Sequence, residues 1–282
     1  MTRLIESIRD IRTYVAGQQR QGHKVGFVPT MGAFHRGHLS LMHQAKRDCP
    51  SVIVSVFVNP LQFAAGEDYD RYPRQLPADT KMAESEKVDV IFIPSVAEMY
   101  PKGFDSYIDQ GEDGLPAKMC GSFRPGHFRG VMTVVAKLFN MVRPDVAYFG
   151  QKDYQQCMIL KRLAADLDFD IDVRILPTVR EEDGLAMSSR NVYLGPKQRR
   201  EATVLYRALQ HAEELIGGGE NSAVKVAAEM RRLILRVKGS KVDYIAIVNS
   251  ETLEPVREIK GKTLIALACR IGKARLIDNM LV

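Results

Sequence analysis

Five short apolar runs punctuate the first 176 residues, at 24–28, 51–58, 88–93, 145–149 and 171–176. The second is β-branched and too apolar for a strand with one wet face. Runs of this kind fit a parallel sheet covered on both sides. Pro29 and Pro94 close the first and third. Patterns of helical period lie between them. Residues 39–46 follow the first run, 77–87 precede the third, and 154–167 separate the last two. From Val131 the apolar positions are 131, 134, 135, 138, 139 and 142, the spacing of a helix with one buried face. Strands alternating with helices predict an α/β domain with right-handed crossovers, most naturally a doubly wound, Rossmann-like parallel sheet.

The texture changes after Pro177. Leu205, Ala208, Leu209, Ala212, Leu215 and Ile216 form a helical stripe that Gly217-Gly218-Gly219 stops. A second helix is expected to about residue 237, then strands at 242–248, 263–269 and 274–279. Helices followed by short strands suggest a smaller α+β domain. The expected division is therefore 1–176 for the Rossmann-like catalytic domain and 177–282 for a smaller α+β lid domain.

Composition narrows the class without choosing within it. The 282 residues are 45% hydrophobic and 26% charged, ordinary for a globular protein. The longest nearly pure apolar run, 52–58, is far short of the ~20 residues of a membrane helix. The opening stretch MTRLIESIRD has no apolar core of a secretory signal, so a cytoplasmic setting is expected. Four widely spaced cysteines lack a C-x-x-C pair, which argues for reduced thiols and against structural zinc. A formal charge of +6 raises the question of an anionic partner.

The most informative stretch is Pro29-Thr30-Met31-Gly32-Ala33-Phe34-His35-Arg36-Gly37-His38. It leaves the first expected strand and opens the first expected helix. A helix start at the carboxyl edge of such a sheet offers unpaired N–H groups and a positive dipole, which suit phosphate. Gly32 and Gly37 permit close backbone approach, and two histidines three apart can donate to one anion. Without neighbouring carboxylates they make a poor metal cage, and no metal ligand is assigned. Lys152 follows the 145–149 run, so it too falls at a carboxyl edge. Ser188-Ser189-Arg190 adds hydroxyl and guanidinium donors from a polar loop. Such a loop closing over a reactive intermediate would exclude water. Gln62 and Gln156 carry amides that can both donate and accept, the contacts a small hydroxy acid needs.

The H-x-G-H signature resembles the nucleotidyltransferase superfamily. The wider pattern resembles the pantoate–β-alanine ligase (pantothenate synthetase) family. Its motifs recur in order as Phe57-Val58-Asn59-Pro60-Leu61-Gln62-Phe63, Arg124-Pro125-Gly126-His127-Phe128-Arg129-Gly130-Val131, Phe149-Gly150-Gln151-Lys152-Asp153-Tyr154-Gln155-Gln156 and Asp183-Gly184-Leu185-Ala186-Met187-Ser188-Ser189-Arg190-Asn191. The likeness runs from about residue 25 to 193 and resumes weakly at 274–279.

The resemblance implies ATP-dependent condensation of pantoate with β-alanine through pantoyl adenylate, with Mg²⁺, in a cytoplasmic homodimer that serves coenzyme A synthesis. It implies catalytic roles for His38 (as proton donor), His35 and Lys152. ATP binding would fall to Met31, Gly32, Ala33, Phe34, His35, Arg36, Gly37 and His38; to Gly150, Gln151, Lys152 and Asp153; and to Val179, Met187, Ser188, Ser189 and Arg190. Gln62 and Gln156 would bind pantoate, and Gln62 also β-alanine. Asn59, His127 and Arg129 are weaker neighbours. Arg36 and Gln151 stand where acidic residues are common in the family, which bears only on local charge.

Two other readings make distinguishable predictions. An adenylyltransferase that transfers AMP to a phosphate would share the histidine signature but lack the Asn59–Phe63 and Gln156 matches. A nucleic-acid module would need basic residues interleaved with aromatics, and the chain has no Trp and 7% aromatics. The charge itself is uneven. Residues 1–176 hold 22 basic and 21 acidic side chains, a net of +1, whereas 177–282 hold 18 and 13, a net of +5. That distribution fits attraction of a small polyanion and gives no pointer to nucleic acid or membrane.

Overall fold

A computed structural model describes residues 2–64, 66–111 and 114–282. Its strands are β1 (Arg3–Ile5), β2 (Val25–Thr30), β3 (Ser51–Val56), β4 (Val90–Phe92), β5 (Val146–Gly150), β6 (Asp172–Leu176), β7 (Lys241–Asn249), β8 (Thr263–Ile271) and β9 (Ala274–Leu281). The helices are α1 (Ile8–Arg20), α2 (Arg36–Asp48), α3 (Leu76–Ser85), α4 (Val96–Met99), α5 (Cys120–Phe123), α6 (His127–Val142), α7 (Tyr154–Asp166), α8 (Pro196–Glu201), α9 (Val204–Gly217) and α10 (Ala223–Ile234).

The first six strands form one parallel sheet in the order β1-β4-β3-β2-β5-β6. Side chains along each strand alternate between its two faces. Phe27, Ile53, Val90, Phe92, Ala147 and Phe149 join a core with α1, α6 and α7. Val28, Val52, Val54, Ile91, Val146 and Tyr148 join another with α2 and α3. Both faces are therefore covered, as the apolar runs require, and the doubly wound expectation holds. The edge strand β6 departs from it, since Asp172 and Arg174 are exposed.

Besides the short helices α4, α5 and α8, two elements of the parallel half, β1 and α1, have no counterpart among the expectations. β1 is three residues long with Arg3 and Leu4 exposed, too short to alternate legibly. β2 runs past Pro29 to Thr30. A proline is tolerated there because β2 stays paired with β3 through Thr30 but with β5 only at Gly26 and Phe27. The donor that Pro29 lacks is on the side β5 has left.

The last three strands form an antiparallel sheet in the order β7-β8-β9. Its inner face packs on α9 and α10 around Leu205, Leu209, Val226, Met230, Ile265 and Leu267. Its other face meets the parallel half, with Val248, Leu253 and Leu264 against Tyr154 and Met158.

Candidate active site

From β2 the chain continues outward to β3 and β4, whereas β5 and β6 lie on the opposite side. The crevice at this reversal is where open α/β sheets bind ligands. A cavity of about 240 Å³ lies there.

One wall is the turn from β2 into α2. His35 caps α2, its Nδ1 accepting from the Gly37 N–H at 3.2 Å. His38 reaches back, its Nδ1 accepting from the His35 N–H at 3.3 Å. Each ring thus spends its Nδ1 lone pair on the backbone, which leaves the proton on Nε2. Burial and the nearby Lys152 charge lower the His35 pKa to about 4. Burial, His35 and Lys152 hold His38 well below its ordinary value. Both rings are therefore neutral Nε2–H donors at pH 7.

The turn is fixed from beneath by Asp79 of α3, which is 1% exposed. Its carboxylate accepts from the Ala33 N–H at 2.9 Å and the Phe34 N–H at 2.8 Å. Gly32 has φ +80°, and a Cβ there would meet Val56 and Asp79 at about 3 Å, so only glycine suits the site. Thr30 Oγ1 accepts from the Gly32 N–H at 3.0 Å.

The facing wall comes from β5 and the segment after β6. Lys152 lies in the single 3₁₀ turn Gln151–Asp153, its Nζ 3.3 Å from Asp153. Ser189 Oγ donates to Ala33 O at 2.9 Å, joining this wall to the histidine turn. Arg190 makes a two-pronged pair with Asp68, Nε–Oδ2 at 2.9 Å and Nη2–Oδ1 at 3.0 Å, and lies over the Tyr72 and Phe63 rings. The adjacent Glu67 holds Arg124 in the same way, at 2.8 and 2.6 Å. Burial works to raise both carboxyls, but their arginines outweigh it and hold each below its ordinary value. Residues 67 and 68 therefore form a strap between two arginines from opposite sides of the cavity.

The floor is partly polar and partly apolar. Asn59 is buried and donates to Gln62 Oε1 at 3.2 Å and Gly130 O at 3.1 Å, while Tyr100 donates to its Oδ1 at 2.8 Å. Gln62 Nε2 faces Met31 Sδ at 3.1 Å. The Pro60–Gln62 turn lies directly on α6, where a Cβ on Gly130 would come within 2.2 Å of Leu61 O. Val131, Val134, Val135 and Leu138 of α6, with Phe57, supply the apolar side. His127 donates from Nδ1 to Gln62 O at 2.8 Å, and its Nε2 accepts from Arg124 at 2.9 Å. Burial and Arg124 lower its pKa to about 4.

Met31, His35, Gly37, His38, Gln62, Gly150, Lys152, Asp153, Gln156, Val179, Met187, Ser188, Ser189 and Arg190 all line this cavity, as do Asn59 and His127. Gly32, Ala33, Phe34, Arg36 and Gln151 do not. The Phe34 side chain is buried in the sheet core, Arg36 is exposed, and the Gln151 amide turns to Asn279. Arg129 stacks on Tyr107 at 4.1 Å, away from the cavity. Sequence reasoning missed Asp79, Asp68, Glu67, Arg124 and Asn279. Asp79 reads along the chain as an ordinary acid in a first helical turn. A hint at Asn279 was available, since Asp278-Asn279 is a polar pair inside an apolar strand run.

The family model described as pantoate-beta-alanine ligase matches residues 3–281. The chain belongs to the pantoate–β-alanine ligase family. Within the family, it is 54% identical over 280 residues to the pantothenate synthetase of Heliobacterium modesticaldum, covering 99% of each chain. The pantothenate synthetase of Pelotomaculum thermopropionicum is 52% identical over 276 residues, 98% of this chain and 97% of that one. The crystal structure of pantothenate synthetase from Thermus thermophilus superposes with a TM-score of 0.94 at 46% identity, covering 99% of both chains. The pantoate-beta-alanine ligase from Francisella tularensis, complexed with beta-gamma ATP and beta-alanine, superposes at 0.82 with 35% identity, covering 100% of this chain and 98% of that one.

Proposed function

We propose that this chain condenses pantoate with β-alanine, using ATP, to give pantothenate, AMP and pyrophosphate through pantoyl adenylate. One observation carries the reading: two neutral Nε2–H donors, Lys152, Ser188, Ser189 and Arg190 face one cavity with the Gln62 and Gln156 amides and an apolar strip of α6. The family relationship supports it, as does the relative solved with an ATP ligand and β-alanine.

A pantoate carboxylate oxygen attacks the α-phosphorus, and the bond from that phosphorus to the pyrophosphate oxygen breaks. Negative charge grows on phosphoryl oxygens, where His35, His38 and Lys152 would stabilise it, joined by Arg190 when it leaves Asp68. A histidine whose pKa is held so low is already neutral and has no imidazolium proton to give, so His38 acts as a hydrogen-bond donor through its Nε2–H. The neutral amine of β-alanine then attacks the acyl carbon, the bond to AMP breaks, and the nitrogen loses a proton as the amide forms. The valines of α6 suit the paired methyl groups of pantoate, and Gln62 and Gln156 suit its hydroxyl and carboxylate oxygens. No three His, Cys, Asp or Glu side chains converge to hold a metal among the described residues. Mg²⁺ is read as arriving on the triphosphate, whose charge it neutralises.

The proposal retains a catalytic unit at 1–176 and a lid unit at 177–282, supported by a core drawn from residues 185–276 alone. No helix is long and apolar enough to cross a membrane among the described residues. A cytoplasmic homodimer serving coenzyme A synthesis completes the reading, and light scattering tests the dimer. The deciding assay follows AMP and pantothenate with each substrate omitted in turn. Both products should require ATP, pantoate and β-alanine. AMP release that ignores pantoate, or no pantothenate, overturns the proposal.

A further inference from the structure

Lys152 is held at the site by one buried side chain from the far end of the chain. Asn279, on β9 and 3% exposed, points its Nδ2 at two successive carbonyls, Gln151 O and Lys152 O, both at 2.9 Å. The Gln151 amide answers by donating to Asn279 Oδ1 at 3.3 Å. A short turn at a strand end has few internal hydrogen bonds, and these contacts occupy carbonyls on both sides of the Lys152 α-carbon.

Asn279 is itself fixed. It pairs across the sheet with Ala266 on β8, and its N–H donates to Asp278 Oδ1 at 2.8 Å. Asp278 forms a two-pronged pair with Arg180, at 2.6 and 3.0 Å, and its side chain is 1% exposed. Arg180 is four residues beyond β6 and lies over the Tyr206 ring of α9. A continuous set of contacts thus runs from the segment joining the two sheets, through Asp278 and Asn279, to the Lys152 backbone.

We infer that Asn279 is a positioning residue for Lys152, and that the antiparallel sheet sets where this ammonium meets the phosphates. The inference rests on the proposed role of Lys152 in phosphate binding. Asn279 lines an adjoining space that shares Lys152, Asp153, Gln156, Ser188 and Arg190 with the histidine cavity, but it does not line that cavity itself. It acts only through the backbone it grips. Freed of that grip, the turn lets the Lys152 Nζ drift, and displacement of about 1 Å at a reacting site costs about 100-fold.

The test uses Asn279→Leu, which keeps the branched shape and neutrality but removes both donors, beside Asn279→Ala, which removes shape as well. Adenylate formation and KM for each substrate are measured with the melting temperature. Both variants should lose tenfold or more, about the lower range of such misplacement, in kcat/KM for ATP. KM for β-alanine should stay within about twofold. A packing role predicts instead that Leu behaves as wild type and Ala does not. A merely structural role lowers the melting temperature and leaves KM for ATP unchanged. Either result overturns the inference. If the wild-type protein forms no AMP, the proposed function fails first, and the two failures are thereby distinct.

Discussion

The two walls of the cavity carry similar donors but are built differently. The histidine wall is stabilised locally, by two reciprocal caps within four residues and by a carboxylate from the same parallel half. The lysine–arginine wall is held from outside, Lys152 by β9 and Arg190 by the strap at Asp68. A self-contained wall is a rigid receptor. A wall gripped by other elements moves when they move, which suits the lid role in the proposed function.

The largest expected effects remove a donor from either wall. His38→Ala and Lys152→Ala should each slow adenylate formation by about two or more orders of magnitude in single-turnover assays. Rates within a few-fold of wild type would take that residue out of the chemistry. Next comes the support of the rigid wall. Asp79→Ala leaves two buried N–H groups unpaired and should lower unfolding free energy by about 2–4 kcal/mol in urea titrations. A stable variant with an intact histidine turn would show that the wall does not need its carboxylate.

The strap predicts the opposite sign. Asp68 occupies a guanidinium that the triphosphate would otherwise attract, and a partly exposed ion pair is a modest obstacle. Asp68→Asn should lower KM for ATP about two- to fivefold. An increase would mean that Asp68 aims Arg190 and does not compete for it. The smallest expected effect is that of pH on the histidine wall. His35 and His127 have folded pKa values of about 4, below the unfolded 6.5, so the unfolded chain takes up protons first. Their contribution to stability is present above about 6.5 and falls as pH drops toward 4. Activity should be insensitive to these rings from pH 6 to 8, and then fall near pH 4 as protonation of His35 at Nδ1 breaks its cap and protonation of His127 at Nε2 breaks its bond from Arg124. A histidine-dependent limb near pH 6.5 would refute the neutral assignment.

The same contrast explains what could be read from the sequence. The histidine turn was legible because its determinants are adjacent: a strand, a glycine turn and a capped helix in ten residues. The pairs Arg190–Asp68 and Asn279–Lys152 are separated by 122 and 127 positions, and one sequence has no local sign of such meetings. Long, evenly apolar strands such as β3 and long striped helices such as α6 were clear. β1 was not, because a three-residue edge strand has only one face to bury. Phe34 and Arg36 fall within the motif by position, yet the turn before α2 sends Phe34 into the core and the start of α2 leaves Arg36 in solvent.

Gly130 has a consequence of another kind. Near the start of a buried helix it looks like a weakness, yet its single hydrogen lets the Gln62 turn rest on the helix backbone. The polar end of the acid pocket and its greasy side are thus spaced by an absent methyl group. Adding that methyl would part them and widen the gap between the Gln62 turn and the valines of α6. The width of that gap is therefore set by a residue that does not itself line the cavity.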